Sequence, residues 1–266
     1  MSALPVSIPF GDAVYLTGWL EELAPIGLAR LNEHAALQTR VDRKYLVDVA
    51  VVADLLSVVT SRVKVLEIDG LCSFGYESVY FDTPDLAAYR SAAHRRRRRF
   101  KVRTRAYLDS GLCWVEVKTK GPRKSTIKNR RPHPFGDRLV LGPGRQFVDT
   151  TLTSESIPGT EALTLTPSLI TRYRRSTLYL PENSSRVTID TDLTWSDGAR
   201  GRQLPDTAVI ETKAGSGATL VDRLLWAQGH RPCRISKYCV GLASLRPDLP
   251  SARWRRTLNR YVLDAG

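Results

Sequence analysis

The sequence predicts an α+β fold in which antiparallel strands present one charged and one apolar face, curl into a barrel and carry helices on the outside. Three observations lead there. Between residues 76 and 131, and again between 168 and 215, apolar and polar side chains alternate with a period of two. Helical spacing is confined to the segments before, between and after those strands. The chain has 266 residues, 42% of them hydrophobic, which suits one large domain with a real core.

The elements follow in order. Residues 1–27 carry prolines at 5, 9 and 25 and read as an N-terminal appendage with a short helix near Val14–Leu23. LARLNEHAALQ (28–38) has helical spacing, RVDRKYLV (40–47) is strand-like, and DVAVVADLLSVVT (48–60) fits a helix with Asp48 as N-cap. YESVYFDT (76–83) is a strand ending in a Thr83-Pro84-Asp85 turn, and LAAYRSAAHRRR (86–97) a short helix. RFKVRTRAYL (99–108), LCWVEVKTKG (112–121) and STIKNRR (125–131) form consecutive hairpins broken at Asp109-Ser110-Gly111 and Gly121-Pro122. Residues 132–166 have a weak pattern with room for a small helix. Strands return at 168–180, 186–193 and 207–215, followed by helices at 218–228 and 236–245. Residues 28–247 are read as the main domain and 248–266 as a basic C-terminal helix.

Composition narrows the partners. Forty Lys and Arg against 27 Asp and Glu give a formal net charge of +13, which favours anionic ligands. Cys72, Cys113, Cys233 and Cys239 have no CxxC spacing and the four histidines are scattered, which speaks against a zinc site and for free thiols in a reducing cytosol. No apolar run approaches the ~18 residues of a membrane span, and the N-terminus lacks the features of a signal peptide. The expectation is a soluble, cytoplasmic protein. No P-loop, GxGxxG or Ser-His-Asp arrangement is present.

The chemistry lies on the charged strand faces. Arg99, Lys101, Arg103 and Arg105 share one face, opposite Phe100, Val102, Thr104 and Ala106. Glu116, Lys118 and Lys120 oppose Cys113, Val115 and Val117; Lys128 goes with Arg130, Arg186 and Thr188 with Asp190, and Glu211 with Lys213. A sheet with one wet face shows the same alternation. Two features favour an interior instead. The charged faces recur on at least five strands, and they mix acids with bases in a repeated Glu-x-Lys form at Glu116-Val-Lys118 and Glu211-Thr-Lys213. Converging arginines and lysines suit a polyphosphate, whose oxygens match guanidinium forks, and carboxylates suit a divalent metal bridging those oxygens.

RVDRKYLV, YFDTPDLAAYR, FKVRTRAY, WVEVKTKG, IKNR, YRRSTLY, RVTID, VIETKAG and RISKYCVGL occur in the order seen in the catalytic domain of VTC (vacuolar transporter chaperone) proteins, and residues 30–245 resemble that domain. The family belongs to the triphosphate tunnel metalloenzymes, related to the CYTH group. The resemblance implies an eight-stranded antiparallel tunnel barrel flanked by helices, and the transfer of a nucleotide γ-phosphate onto a growing polyphosphate chain. It implies that Lys44 sits beside the reacting phosphates and that Arg103, Arg105, Lys118, Lys128, Arg175, Arg186 and Lys213 bind phosphates. Arg234 and Lys237 would lie near the tunnel mouth. Glu211, with Glu116, would hold Mg²⁺ or Mn²⁺, so that Lys44 and Glu211 are the catalytic pair. The CYTH group opens with Glu-x-Glu-x-Lys. Here Arg40-Val41-Asp42-Arg43-Lys44 offers one carboxylate, which suits the VTC branch better than a CYTH-type triphosphatase.

The expected partners are ATP or another nucleoside triphosphate and inorganic polyphosphate. The chain carries neither the membrane span nor the regulatory domain that accompanies eukaryotic VTC proteins, so translocation would need a membrane partner. The run His94–Arg99 reads either as a solvated face or as a polyphosphate attractor; without interleaved aromatics it disfavours nucleic acid. Arg253, Arg255, Arg256 and Arg260 near Trp254 read as an ordinary basic helix, or as a peripheral membrane contact. Two alternatives to polyphosphate synthesis stay open: hydrolysis of inorganic or nucleoside triphosphate, and polyphosphate binding without catalysis.

Overall fold

Eight strands make one continuous antiparallel wall: β2 (Val41–Asp48), β4 (Phe74–Asp82), β5 (Phe100–Tyr107), β6 (Leu112–Lys120), β7 (Thr126–Pro132), β8 (Thr166–Leu180), β9 (Ser185–Ser196) and β11 (Thr207–Ala214). Their spatial order is β2-β11-β9-β8-β4-β5-β6-β7. Short strands extend the margins: β1 (Ala24–Ile26) pairs with β3 (Lys64–Leu66), which pairs with β8, and β10 (Gly201–Gln203) pairs with β9. The computed structural model describes residues 14–34, 41–121, 126–157, 159–160, 163–215 and 217–263. Parts of the expected segments therefore lie outside the described residues: 1–13 of the appendage, 35–38 of the second helix, Arg40, Ser125 and the end of the C-terminal tail.

The sheet curls until strands from both its ends, β2 and β7, line one cavity. Among the described residues no backbone ladder joins β2 to β7. Instead the Cys233 amide donates to the Lys44 carbonyl at 2.7 Å, laying the segment before residue 236 along β2.

The period-two reading explains which side faces out. Tyr45, Val47, Val187, Ile189, Ala208 and Ile210 meet α1 (Val14–Glu21), α3 (Val49–Val59) and α6 (Leu220–Ala227) in one apolar cluster. Val79, Phe81, Val102, Val115 and Val117 meet Val148 and Leu152 of α5 (Arg145–Ser154) in another. The caps match their sequence signals. The Asp48 side chain accepts from the Ala50 amide at the start of α3, and Thr219 and Asp222 form a reciprocal capping box at α6. Two shorter helices, α2 (Leu28–His34) and α4 (Ala87–Ala93), complete the shell, and α8 (Arg255–Leu258) follows α7 (Lys237–Leu245).

Along the inward face, charge gives way to apolar side chains toward one end. Lys44 is followed by Leu46, and Glu211 is preceded by Val209. A bulge between β8 and β9 near Asp192, which has φ +53°, turns Leu193 and Trp195 onto that same end. The α7 helix packs there, with Tyr238–Leu245 buried. Its approach depends on Gly241, where an added Cβ would sit 2.2 Å from the Trp195 ring. Trp254, Leu258 and Val262 pack into the same cluster, so the C-terminal segment covers the plug. No helix among the described residues is long and apolar enough to cross a membrane.

Candidate functional site

The inward face encloses a cavity of about 410 Å³. Cross-strand register builds it. On β5 and β6, Arg103 lies opposite Glu116 and Lys101 opposite Lys118, while Lys128 of β7 lies opposite Lys118. On the other side, Glu211 of β11 lies opposite Lys44 of β2, and Arg175 of β8 opposite Asp190 of β9. Directly opposed residues share a face, so these charges converge. Among the described residues nine cations line the cavity: Lys44, Lys101, Arg103, Arg105, Lys118, Lys128, Arg175, Lys213 and Lys237.

Three carboxylates each hold two of these cations. Glu116 takes Arg103 at 2.6 Å on one oxygen and Lys128 at 2.6 Å on the other. Asp190 takes Arg175 through a two-pronged contact of 2.5 and 2.8 Å, and Lys237 as well. Glu211 takes Lys44 at 2.7 Å and Lys213 at 3.4 Å. Burial alone would push all three carboxyls up. Arg103, Arg105 and Lys128 overturn that at Glu116, Arg175 and Lys237 at Asp190, and Lys44 and Lys213 at Glu211, so all three are held well below the usual carboxylate range.

Three cations have no carboxylate partner among the described residues. Lys101 donates to the Ser236 hydroxyl at 2.7 Å. The Arg105 guanidinium lies over the Tyr76 ring at 5.9 Å, and its Nε is buried without a hydrogen-bond partner. Lys118 faces Arg103 and Arg105; their charge, with burial, drives its ammonium well below the ordinary lysine range. Burial also brings Lys128 and Lys213 down to about 8, against the opposing pull of Glu116 and Glu211. Such an arrangement repels protons and attracts a multivalent anion.

Of the residues expected at the site, Lys44, Arg103, Arg105, Lys118, Lys128, Arg175, Lys213, Lys237, Glu116 and Glu211 line this cavity together. Arg234 lines a neighbouring cavity. Arg186 sits opposite Lys213, but its guanidinium reaches out to the Leu31 carbonyl and the Asn32 side chain of α2. The two Glu-x-Lys repeats behave differently: Glu211 contacts Lys213, whereas Glu116 reaches across strands to Arg103 and Lys128.

The sequence sets Asp190 on a charged strand face without giving it a role at the site, and it singles out neither Tyr80 nor Tyr173. Asp190 follows Arg186 and Thr188 on one face, so its inward placement was visible; its pairing with Arg175 needed the β8–β9 register. Tyr173 precedes Arg175 by two. Its ring carries Lys237 at 4.3 Å and Arg175 at 5.3 Å, and its buried hydroxyl has no hydrogen-bond partner among the described residues. Burial pushes that phenol up, but Arg105 and Arg175 bring it below its ordinary value. Tyr80 donates nothing to a carboxylate and instead accepts from Arg103 at 3.0 Å.

A divalent metal has a suitable donor in Glu211, an ionised carboxylate on the cavity wall. Among the described residues no group of three His, Cys, Asp or Glu side chains forms a cage. This donor set fits an ion held by one carboxylate together with phosphate oxygens and water, as Mg²⁺ commonly is. Glu116 fits less well than expected, because cations hold both of its oxygens at 2.6 Å and Arg105 and Lys118 crowd it, whereas one Glu211 oxygen meets Lys213 only at 3.4 Å.

The curled antiparallel wall with helices outside it is a fold that solved structures share. The family model for the VTC domain matches residues 39–246, and the chain belongs to that family. Two of the solved structures that share the fold are informative. One is a proposed adenylate cyclase from Bacillus halodurans, 15% identical, with TM-score 0.50, covering 74% of this chain and 94% of its own. The other is a proposed adenylyl cyclase from Hippeastrum described as having a dominant triphosphatase activity, 13% identical, with TM-score 0.51, covering 81% of this chain and 100% of its own. A comparison with curated protein sequences finds no match.

Proposed function

We propose that the cavity binds a triphosphate or polyphosphate chain and transfers a terminal phosphoryl group from a nucleoside triphosphate, ATP in the first instance, to a growing polyphosphate. The observation that carries this reading is the division of the cations: six preset by Glu116, Asp190 and Glu211, and three, Lys101, Arg105 and Lys118, without a carboxylate. Membership of the VTC domain family supports it.

In this reading Arg103, Arg105 and Arg175 fork onto phosphate oxygens, and Lys118, Lys128, Lys213 and Lys237 neutralise the remaining charge. Glu116 and Asp190 hold their arginines in position before substrate arrives, so little reorganisation accompanies reaction. Lys44, beside Glu211, faces the transferring phosphoryl group. Glu211 would hold Mg²⁺ or Mn²⁺, which would supply positive charge to offset the negative charge developing on the phosphate oxygens.

A second reading, hydrolysis with water as acceptor, is favoured by the activity described for the Hippeastrum protein. One experiment separates these from pure binding. The protein is incubated with ATP and Mn²⁺ and the products are resolved by size. Long chains support synthesis, phosphate and diphosphate support hydrolysis, and unchanged ATP refutes both. Glu211→Gln is expected to abolish metal-dependent turnover with little loss of secondary structure by circular dichroism; unchanged turnover would exclude Glu211 as the metal residue.

A further inference from the structure

Beside the central cavity lies a second one of about 350 Å³. The two share Asp42, Lys44, Lys101, Ile235 and Ser236 on their walls, so a ligand in one adjoins the other. The second cavity adds Arg43, which Asp222 holds at 3.3 Å, and three further arginines, Arg99, Arg234 and Arg253. None of these three has a carboxylate partner among the described residues. Arg99 donates to the Arg96 carbonyl at 2.7 Å, and Arg253 to the Ala92 carbonyl at 2.7 Å. The Nε of Arg253 is buried without a hydrogen-bond partner among the described residues. Burial lowers the affinity of Arg253 for its proton, and the Arg99, Arg95 and Arg234 charges lower it further. Like charges gathered in one pocket at such a cost are relieved by an anion.

The aromatic side chain at this pocket does not offer a base a stacking surface. Trp254 is 3% exposed and packs against Tyr89 with ring centroids 5.7 Å apart. A single-stranded nucleic acid would need an open aromatic face as well as cations. A bare phosphate chain needs only the cations. Arg253 lies past residue 246, where the family match ends, so this wall is built partly by the C-terminal segment.

We infer that this second cavity is a vestibule that grips the distal phosphates of an inorganic phosphate chain too long for the central cavity, with Arg99, Arg234 and the C-terminal Arg253 as its ligands. The inference rests on the reading of the central cavity as a phosphate-chain site. It makes the protein a reader of chain length.

Calorimetric titration of the full chain with inorganic triphosphate and with size-fractionated long-chain polyphosphate, at one ionic strength, tests it. The unaltered protein is expected to bind the long chain more tightly than triphosphate. Arg99→Gln and Arg253→Gln should each weaken long-chain binding by about tenfold, the loss expected for one charge-assisted contact, and leave triphosphate binding unchanged. Arg253→Lys should recover part of the loss. Arg99→Gln keeps the test sound if loss of the Arg253–Ala92 contact unfolds the C-terminal segment. Equal loss for both ligands, or no loss for the long chain, overturns the vestibule while leaving the central site standing. Failure of the unaltered protein to bind either ligand overturns both. Tighter binding of a single-stranded oligonucleotide, lost in the same variants, would reassign the pocket to nucleic acid.

Discussion

Replacing Glu116 by Gln removes one charge and leaves the shape of the side chain. The carboxylate is buried, and it faces two cations at 2.6 Å, with Arg105 and Lys118 close by. Removing one partner of a buried pair costs about 3–5 kcal/mol, because the other charge stays buried and uncompensated. The Arg103 side chain is 9% exposed and bears that in full, whereas Lys128 at 36% is partly relieved by water. The lower end, about 3 kcal/mol, is therefore expected. For a chain of this size each kcal/mol moves Tm by roughly 2–4 °C, so Tm should fall by about 6–12 °C. Inorganic triphosphate should raise Tm more in the variant than in the unaltered protein, since it now supplies the missing negative charge. The fall should also shrink near pH 9, where Lys128, already down to about 8, gives up its proton. Thermal unfolding followed by circular dichroism, with and without triphosphate, reads all three. A variant as stable as the parent, or one that gains less from triphosphate, would refute the view that Glu116 offsets trapped positive charge.

Lys128 and Lys213 drop from an ordinary 10.5 to about 8 in the folded protein. Between those values the unfolded chain holds more protons than the folded one, so the ligand-free protein should gain stability as pH rises through that window; below about 8 the cost of the two charges is fully present. Phosphate binding should recharge both amines. Calorimetry near pH 8.5 in buffers of different ionisation enthalpy is expected to show net proton uptake, and none would count against amine-phosphate contacts. Arg105→Gln should weaken triphosphate binding by about tenfold or more while hardly moving Tm, because Arg105 has no carboxylate to strand. Gly241→Ala should lower stability by about 1–3 kcal/mol in chemical denaturation, since its new methyl would strike Trp195 at 2.2 Å.

Much of the fold was legible because strand period and face chemistry coincide. Lys101, Arg103 and Arg105 alternate with Val102, Thr104 and Ala106, and the structure puts the first set on the cavity side and the second in the shell. The α5 helix was harder to see, because its buried side is only Val148, Thr151 and Leu152 and, Phe147 apart, the rest of the segment is polar. Strand order was not legible: β8 lies between β4 and β9, and only that neighbourhood brings Arg175 to Asp190. The separate behaviour of Arg186 has the same origin, since nothing local to RVTID reveals that α2 stands at the end of its strand. The plug was hidden too. SKYCVGLASL reads as a helix, but a glycine within it gains meaning only when Trp195, turned inward by a bulge, lies against it.

Pairing each of three carboxylates with two lysines or arginines has a kinetic side. A cavity of bare cations would hold a long anion in deep wells, one for every phosphate. Under the proposed function each step along the wall would trade a carboxylate contact for a phosphate contact and back again, which would make the wells shallow and neighbouring positions similar in energy. In the proposed reading the carboxylates would act as a lubricant, letting a charged chain shift along the cavity wall up to the end that α7 closes.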